Sequence, residues 1–77
     1  MNFEEIKIKV ILGIWRMNQQ AEQGDINRNH VNYGEVQAYG EILRFMGHDT
    51  ELNNCWENDK GCLVISKAKI DGEELPI

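Results

Sequence analysis

The chain has 77 residues, 42% hydrophobic and 27% charged, and its 13 acidic against 8 basic side chains leave a formal charge of -5. So short a chain holds one domain, residues 1-77, with one small core, because it buries only about 60% of the surface its unfolded form exposes. Two cysteines exclude a disulfide scaffold, and no apolar run approaches the roughly 20 residues that a membrane-spanning helix requires.

Met1-Asn2-Phe3-Glu4-Glu5 is acidic where a secretory signal is basic. A cytoplasmic chain with free thiols at Cys55 and Cys62 is expected. Asn2 followed three residues later by Glu5 fits a capping box, and the spacing predicts a helix over 3-23. Phe3, Ile6, Val10, Ile14, Met17 and Ala21 line one face of it, and Glu5, Lys9, Arg16, Gln20 and Gln23 the other. Gly24 supplies a stop. A second apolar flank of Ile8, Ile11, Leu12 and Trp15 implies that this helix touches two things. The competing pattern is a strand, since Ile6-Lys7-Ile8-Lys9-Val10 alternates and Gly13 follows.

Residues 23-32 are polar and read as the connection between helices. Asn32-x-x-Glu35 is a second capping box. A helix over 33-46 then spreads Ala38, Tyr39, Ile42, Leu43, Phe45 and Met46 over a broad apolar arc, which implies a central helix covered on more than one side. Gly47 ends it. Gly13 and Gly40, each costing about 1 kcal/mol relative to alanine in a helix, fall at one level of the hairpin and are expected to mark a close helix crossing.

The last third changes period. Asn58-Asp59-Lys60-Gly61 suits a type I turn followed by a left-handed glycine, and Asp71-Gly72 a two-residue hairpin turn. These turns predict strands over 52-57, 62-70 and 73-77, with Trp56 opposite Leu63, Lys69 opposite Glu74 and Ala68 opposite Leu75. One face would carry Cys55, Cys62, Val64, Ala68, Ile70, Leu75 and Ile77 towards the helices. Trp56, Leu63, Ile65, Lys67 and Lys69 would lie on the other, and Pro76 places the third strand at an edge. The expected fold is α+β, a two-helix hairpin packed on one face of a three-stranded antiparallel β-meander.

Charge is unevenly placed. Residues 1-28 hold four basic and four acidic side chains, and residues 60-77 three of each. Residues 29-59 hold Arg44 against Glu35, Glu41, Asp49, Glu51, Glu57 and Asp59, so the whole imbalance lies there. An acidic segment opposes direct nucleic-acid binding, which depends on Lys and Arg displacing phosphate counterions. It favours a basic protein partner, such as one whose own surface holds nucleic acid; solvation of a small soluble protein is the plainer use of the same charges.

His30, His48, Cys55 and Cys62 are zinc-binding residue types, yet their spacing places no two ligands in one short turn. The expected strand pairing makes the cysteines diagonal neighbours and small core residues, with a thiol or zinc site as the alternative. No phosphate loop, nucleophile elbow or metalloprotease helix occurs, and Glu35 and Glu41 point to different helix sides. No catalytic residue, metal site or cofactor is expected. Trp56 with Leu63 and Ile65, and Trp15 with Ile8, Ile11 and Leu12, form two apolar patches that the domain's own chain cannot easily cover. They are candidates for a partner or for self-association as a homodimer, unless the helices wrap further round the sheet. Tyr33 and Tyr39 are expected at the core edge.

Tyr33-Gly34-Glu35-Val36-Gln37-Ala38-Tyr39-Gly40-Glu41-Ile42-Leu43 resembles the helix of small acidic accessory proteins of tailed phages and other mobile elements. The resemblance covers eleven residues, mostly helix-packing positions, and carries over no site residue. It implies a class of partner: such proteins often inhibit a host enzyme or a defence complex, anti-CRISPR and anti-restriction proteins among them.

Overall fold

The computed structural model describes residues 1-77 and has an α+β fold. Helix α1 spans Phe3–Gln23. Asn2 caps it, its side-chain oxygen accepting from the Glu5 N–H at 3.0 Å, while the Asn2 amide donates to the Glu5 carboxylate at 3.1 Å. Only half of the capping box forms, because the Glu5 side chain meets the Asn2 side chain and not its main chain. The helix ends at Gly24, whose N–H donates to Ala21 O while Asp25 N–H donates to Gln20 O. Residues 6-10, which also read as a strand, are helical and bury Ile6 and Val10 in the core.

Helix α2 runs over Ile26–Phe45 and starts seven residues before the expected position. Its cap is Asp25, which accepts from Arg28 N–H at 3.3 Å. Asn32 lies inside the helix. The connection between the helices therefore shrinks from the nine residues 24-32 to Gly24 and Asp25. The asparagine-rich stretch is a weak helix former on its own, and what holds it is tertiary. The fully buried Asn29 donates to Met17 O of α1 at 2.7 Å and to Leu63 O at 2.8 Å, and accepts from Leu63 N–H at 2.7 Å. Every polar atom of that side chain is satisfied, which is the condition for burying an amide without penalty. No helix is long and apolar enough to cross a membrane.

The C-terminal third forms five short antiparallel strands: β1 Thr50–Glu51, β2 Cys55–Glu57, β3 Leu63–Ile65, β4 Lys69–Ile70 and β5 Glu73–Glu74. They make a three-stranded sheet in the order β1-β4-β5 and a separate β2-β3 hairpin. The expected strand over 62-70 is thus broken at 66-68, the one over 52-57 is shortened to Cys55–Glu57, and β1 at Thr50–Glu51 is an additional strand ahead of it. The β4-β5 pairing is the expected one, with Lys69 opposite Glu74 and Leu75 N–H donating to Ala68 O. Asp71 and Gly72 both adopt positive φ, as a tight hairpin turn requires.

The β2-β3 pairing differs from expectation by one residue, because Gly61, at φ 79°, adds a bulge to the turn. Trp56 lies opposite Val64 and Cys55 opposite Ile65. Across the break at 66-68 the side-chain alternation also changes phase, so Ile65 and Ala68, three apart, are both buried. Ile65, assigned by simple alternation to the outer face, is a core residue, and Val64, assigned inward, shares the outer face with Trp56.

The core gathers Ile6, Val10, Ile14 and Met17 of α1, Val36 and Leu43 of α2, and Leu52, Ile65, Ala68, Ile70 and Leu75 of the C-terminal third. Helix α1 packs against both α2 and β3, and α2 also reaches β3 through Asn29. Helix α2 is not covered on two sides: Val31, Ile42 and Phe45 are exposed, Phe45 at 92%. The two helix glycines do not face each other. A Cβ on Gly13 would meet Val36 Cγ2 at 2.8 Å, so α1 approaches α2 there, whereas one on Gly40 would meet Leu52 Cδ1 at 2.9 Å.

Candidate functional site

The β2-β3 hairpin is attached to the helices by side-chain amides. Asn29 takes both main-chain groups of Leu63. Asn18 of α1 does the same for Ile65, donating to its carbonyl at 2.8 Å and accepting from its N–H at 3.0 Å. Two asparagines on two helices thus close one edge of β3 as a neighbouring strand would. At the turn, Asn58 donates to Ala21 O at 3.0 Å and accepts from Lys60 and Cys62 N–H. Lys60 Nζ donates to Glu22 O at 2.7 Å, a favourable place for a cation at a helix C-terminus.

With Leu63 and Ile65 committed to the helices, only Val64 turns its main chain towards β2, where Trp56 lies opposite. Antiparallel alternation then turns the main chains of Cys55 and Glu57 outward. Cys55 N–H is used locally, donating to Asn53 O at 3.0 Å. The outer edge of β2 offers Cys55 C=O and both main-chain groups of Glu57.

The six carboxylates of the acidic segment are all exposed. Glu35 and Glu41 lie on α2, Asp49 and Glu51 at β1, Glu57 on β2 and Asp59 in the following turn. None takes part in an ion pair, since the pairs formed are Arg28–Asp25 and Lys67–Glu74, and His48 contacts Asp71. Asp49 and Glu51 lie towards the end where α2 finishes, Glu57 and Asp59 towards the turn between the helices, so the acidity spreads along a molecule 35 Å long.

The Trp56 patch differs from expectation. Ile65 is fully buried and Leu63 packs against the core, leaving Trp56, 54% exposed, beside Val64. Its indole N–H donates to Ser66 Oγ at 3.0 Å. The Trp15 patch persists: Ile8, Leu12 and Trp15 stand exposed on the outer side of α1, with Ile11 partly buried. Trp15 Nε1 donates to Pro76 O at 2.9 Å and ties the chain end to α1.

The cysteines are not diagonal neighbours. Cys62 is buried at the turn end of the hairpin, and Cys55 lies at its other end with Sγ 3.7 Å from Tyr33 OH. The hydrogen bond with Cys55, with burial adding to it, pushes the Tyr33 hydroxyl above its ordinary pKa. No three His, Cys, Asp or Glu side chains assemble a metal site. His30 contacts Gly61 O at 3.2 Å.

His48 forms a cluster that residue spacing did not reveal. Its ring stacks on Phe3 with centroids 4.1 Å apart, and Nδ1 lies 2.7 Å from Asp71 Oδ2. Asp71 Oδ1 accepts from Asp49 N–H at 3.0 Å, and Asp71 N–H donates to Asp49 O at 2.9 Å. The hydrogen bond to His48, then that from Asp49, holds the Asp71 carboxyl below its ordinary pKa. This clasp joins the start of α1, the loop after α2 and the β4-β5 turn. The two surface depressions are bounded by Glu41, Arg44 and Phe45, and by Arg44, Asp49, Thr50, Glu51, Lys69 and Gly72.

The chain matches no protein-family model, and no curated protein or solved structure gives a significant match.

Proposed function

We propose that the chain is a non-catalytic protein-binding module of a phage or mobile element, which inhibits a host or defence protein in the cytoplasm through its acidic surface. The observation that carries this reading is the state of Glu35, Glu41, Asp49, Glu51, Glu57 and Asp59. All six are exposed and none is paired with a cation. Unneutralised carboxylates extend a negative field to about 8 Å at physiological salt, which speeds encounter with a basic surface and repels nucleic acid. A target whose own surface binds nucleic acid has the complementary charge.

Capture of basic proteins from a host lysate, compared between the natural chain and an E51Q/E57Q/D59N variant, tests the reading. The variant should capture less, and more salt should weaken capture by the natural chain. Equal capture by both forms would remove the electrostatic argument.

A second reading rests on the outer stripe of α1. Ile8, Leu12 and Trp15 recur at helical spacing and are exposed, which suits a homo-oligomeric accessory protein. Sedimentation separates the two: a strict monomer at high concentration contradicts self-association through this stripe.

A further inference from the structure

The acidic-surface reading leaves open how a partner is held, and the main chain of the β2-β3 hairpin bears on that. Its two edges are treated differently. The β3 edge is closed by Asn18 and Asn29. Further along, Gln37 of α2 takes Leu52 O at 2.7 Å, and Arg44 donates to Thr50 Oγ1 at 2.6 Å. Helix side chains therefore also bond to the chain at and after β1. No side chain bonds to the outer edge of β2.

Open strand edges are templates for pairing, and proteins commonly guard them with lysine or proline. This edge has neither. Between Arg44 and Lys60 the sequence contains no lysine or arginine, and Lys60 is turned to the end of α1. Glu57 sits on the edge, Asp59 follows it in the turn, and Trp56 lies exposed beside it. Self-pairing of two β2 edges would bring Glu57 and Asp59 of both copies together in a chain of charge -5. The charge favours an extended segment rich in lysine and arginine, whose cations also suit the face of the Trp56 ring.

We propose that β2 accepts an extended basic peptide segment of its protein partner as an added strand, through the main chain of Glu57 and the carbonyl of Cys55. Main-chain hydrogen bonds fix the direction and register of such a segment, and charge selects it. This inference rests on the acidic-surface reading, and the experiment separates the two.

The probe is a ten-residue peptide of alternating lysine and valine, titrated at low salt into the isotope-labelled chain and into its Glu57→Gln and Glu57→Pro variants. Proline removes the outward N–H while leaving the ladder to β3 untouched, and protected Leu63 and Ile65 amides verify that each variant is folded. The expected result is slowed hydrogen exchange at Glu57 on binding, with Glu57→Pro binding about fivefold more weakly than Glu57→Gln, the worth of one hydrogen bond. Binding without Glu57 protection, and equal in the two variants, would overturn strand addition and leave the acidic surface standing. No binding at all would overturn both. Glu57 protection that appears with rising protein concentration in the absence of peptide would assign the edge to a second copy and overturn the peptide as occupant.

Discussion

The β1-β4-β5 sheet and the β2-β3 hairpin rest on the same pair of helices but are held by different forces. The sheet is held by apolar burial of Leu52, Ala68, Ile70 and Leu75, with the His48–Asp71 clasp at its corner. The hairpin buries Ile65 and Cys62, packs Leu63 and Cys55 at the edge of the core, and is otherwise held by amides of Asn18, Asn29 and Asn58 bonded to main chain. Apolar packing tolerates small adjustments, whereas a buried hydrogen-bond network loses heavily when one member is removed. One region should therefore degrade gradually under mutation and the other abruptly.

The largest effect is expected at Asn29. Asn29→Ala leaves both main-chain groups of Leu63 without their partner and removes the second bond to Met17 O, at a cost of about 3 kcal/mol, measurable by denaturant unfolding. A loss under about 1 kcal/mol would mean that the hairpin does not depend on this amide. Asn18→Ala, at a partly buried site with two bonds, should cost about half as much.

Gly13→Ala comes next. Its new methyl meets Val36, a buried β-branched residue with essentially one helical rotamer. The helices must separate, so a net loss of about 1 kcal/mol remains after the propensity gain. At Gly40 the new methyl meets Cδ1 of the buried Leu52, the far end of a side chain with two rotatable bonds that can yield more readily than Val36, so the loss should be smaller. Thermal unfolding of both single variants checks this ranking, which equal losses would contradict.

The smallest effect belongs to the clasp. Because the folded Asp71 has a lowered pKa, the unfolded chain binds its proton more readily, and stability from this group is complete above the ordinary carboxyl range. It is lost as pH falls through the lower folded value. Asp71→Asn should flatten this part of the acid limb of the stability-pH curve, and an unchanged limb would show that the His48 contact contributes nothing.

Much of this arrangement was legible in the residues. The bounds of α1, both hairpin turns and the β4-β5 register follow from local chemistry at Asn2, Gly24, Gly61 and Asp71-Gly72, where the nearest neighbours decide the conformation. The start of α2 did not, because Asn27, Asn29 and Asn32 favour a turn until Met17 and Leu63 supply distant partners for Asn29. The burial of Ile65 did not either, since period-two alternation holds only within an unbroken strand and the break at 66-68 changes its phase. The acidic positions were readable as exposed by type, but that none is ion-paired depends on where Arg28, Arg44, Lys60 and Lys67 point in the folded chain. The open edge of β2 is a consequence of Asn18 and Asn29 closing the other one, a relation between residues more than thirty positions apart.

Hydrogen exchange at three amides of the isolated, natural chain tests that relation most directly. Leu63 and Ile65, whose N–H groups are held by Asn29 and Asn18, should exchange slowly, and Glu57, whose N–H faces outward, should exchange fast. A Glu57 amide as protected as Leu63 would contradict the account, because the edge on which the partner is proposed to dock would already be closed.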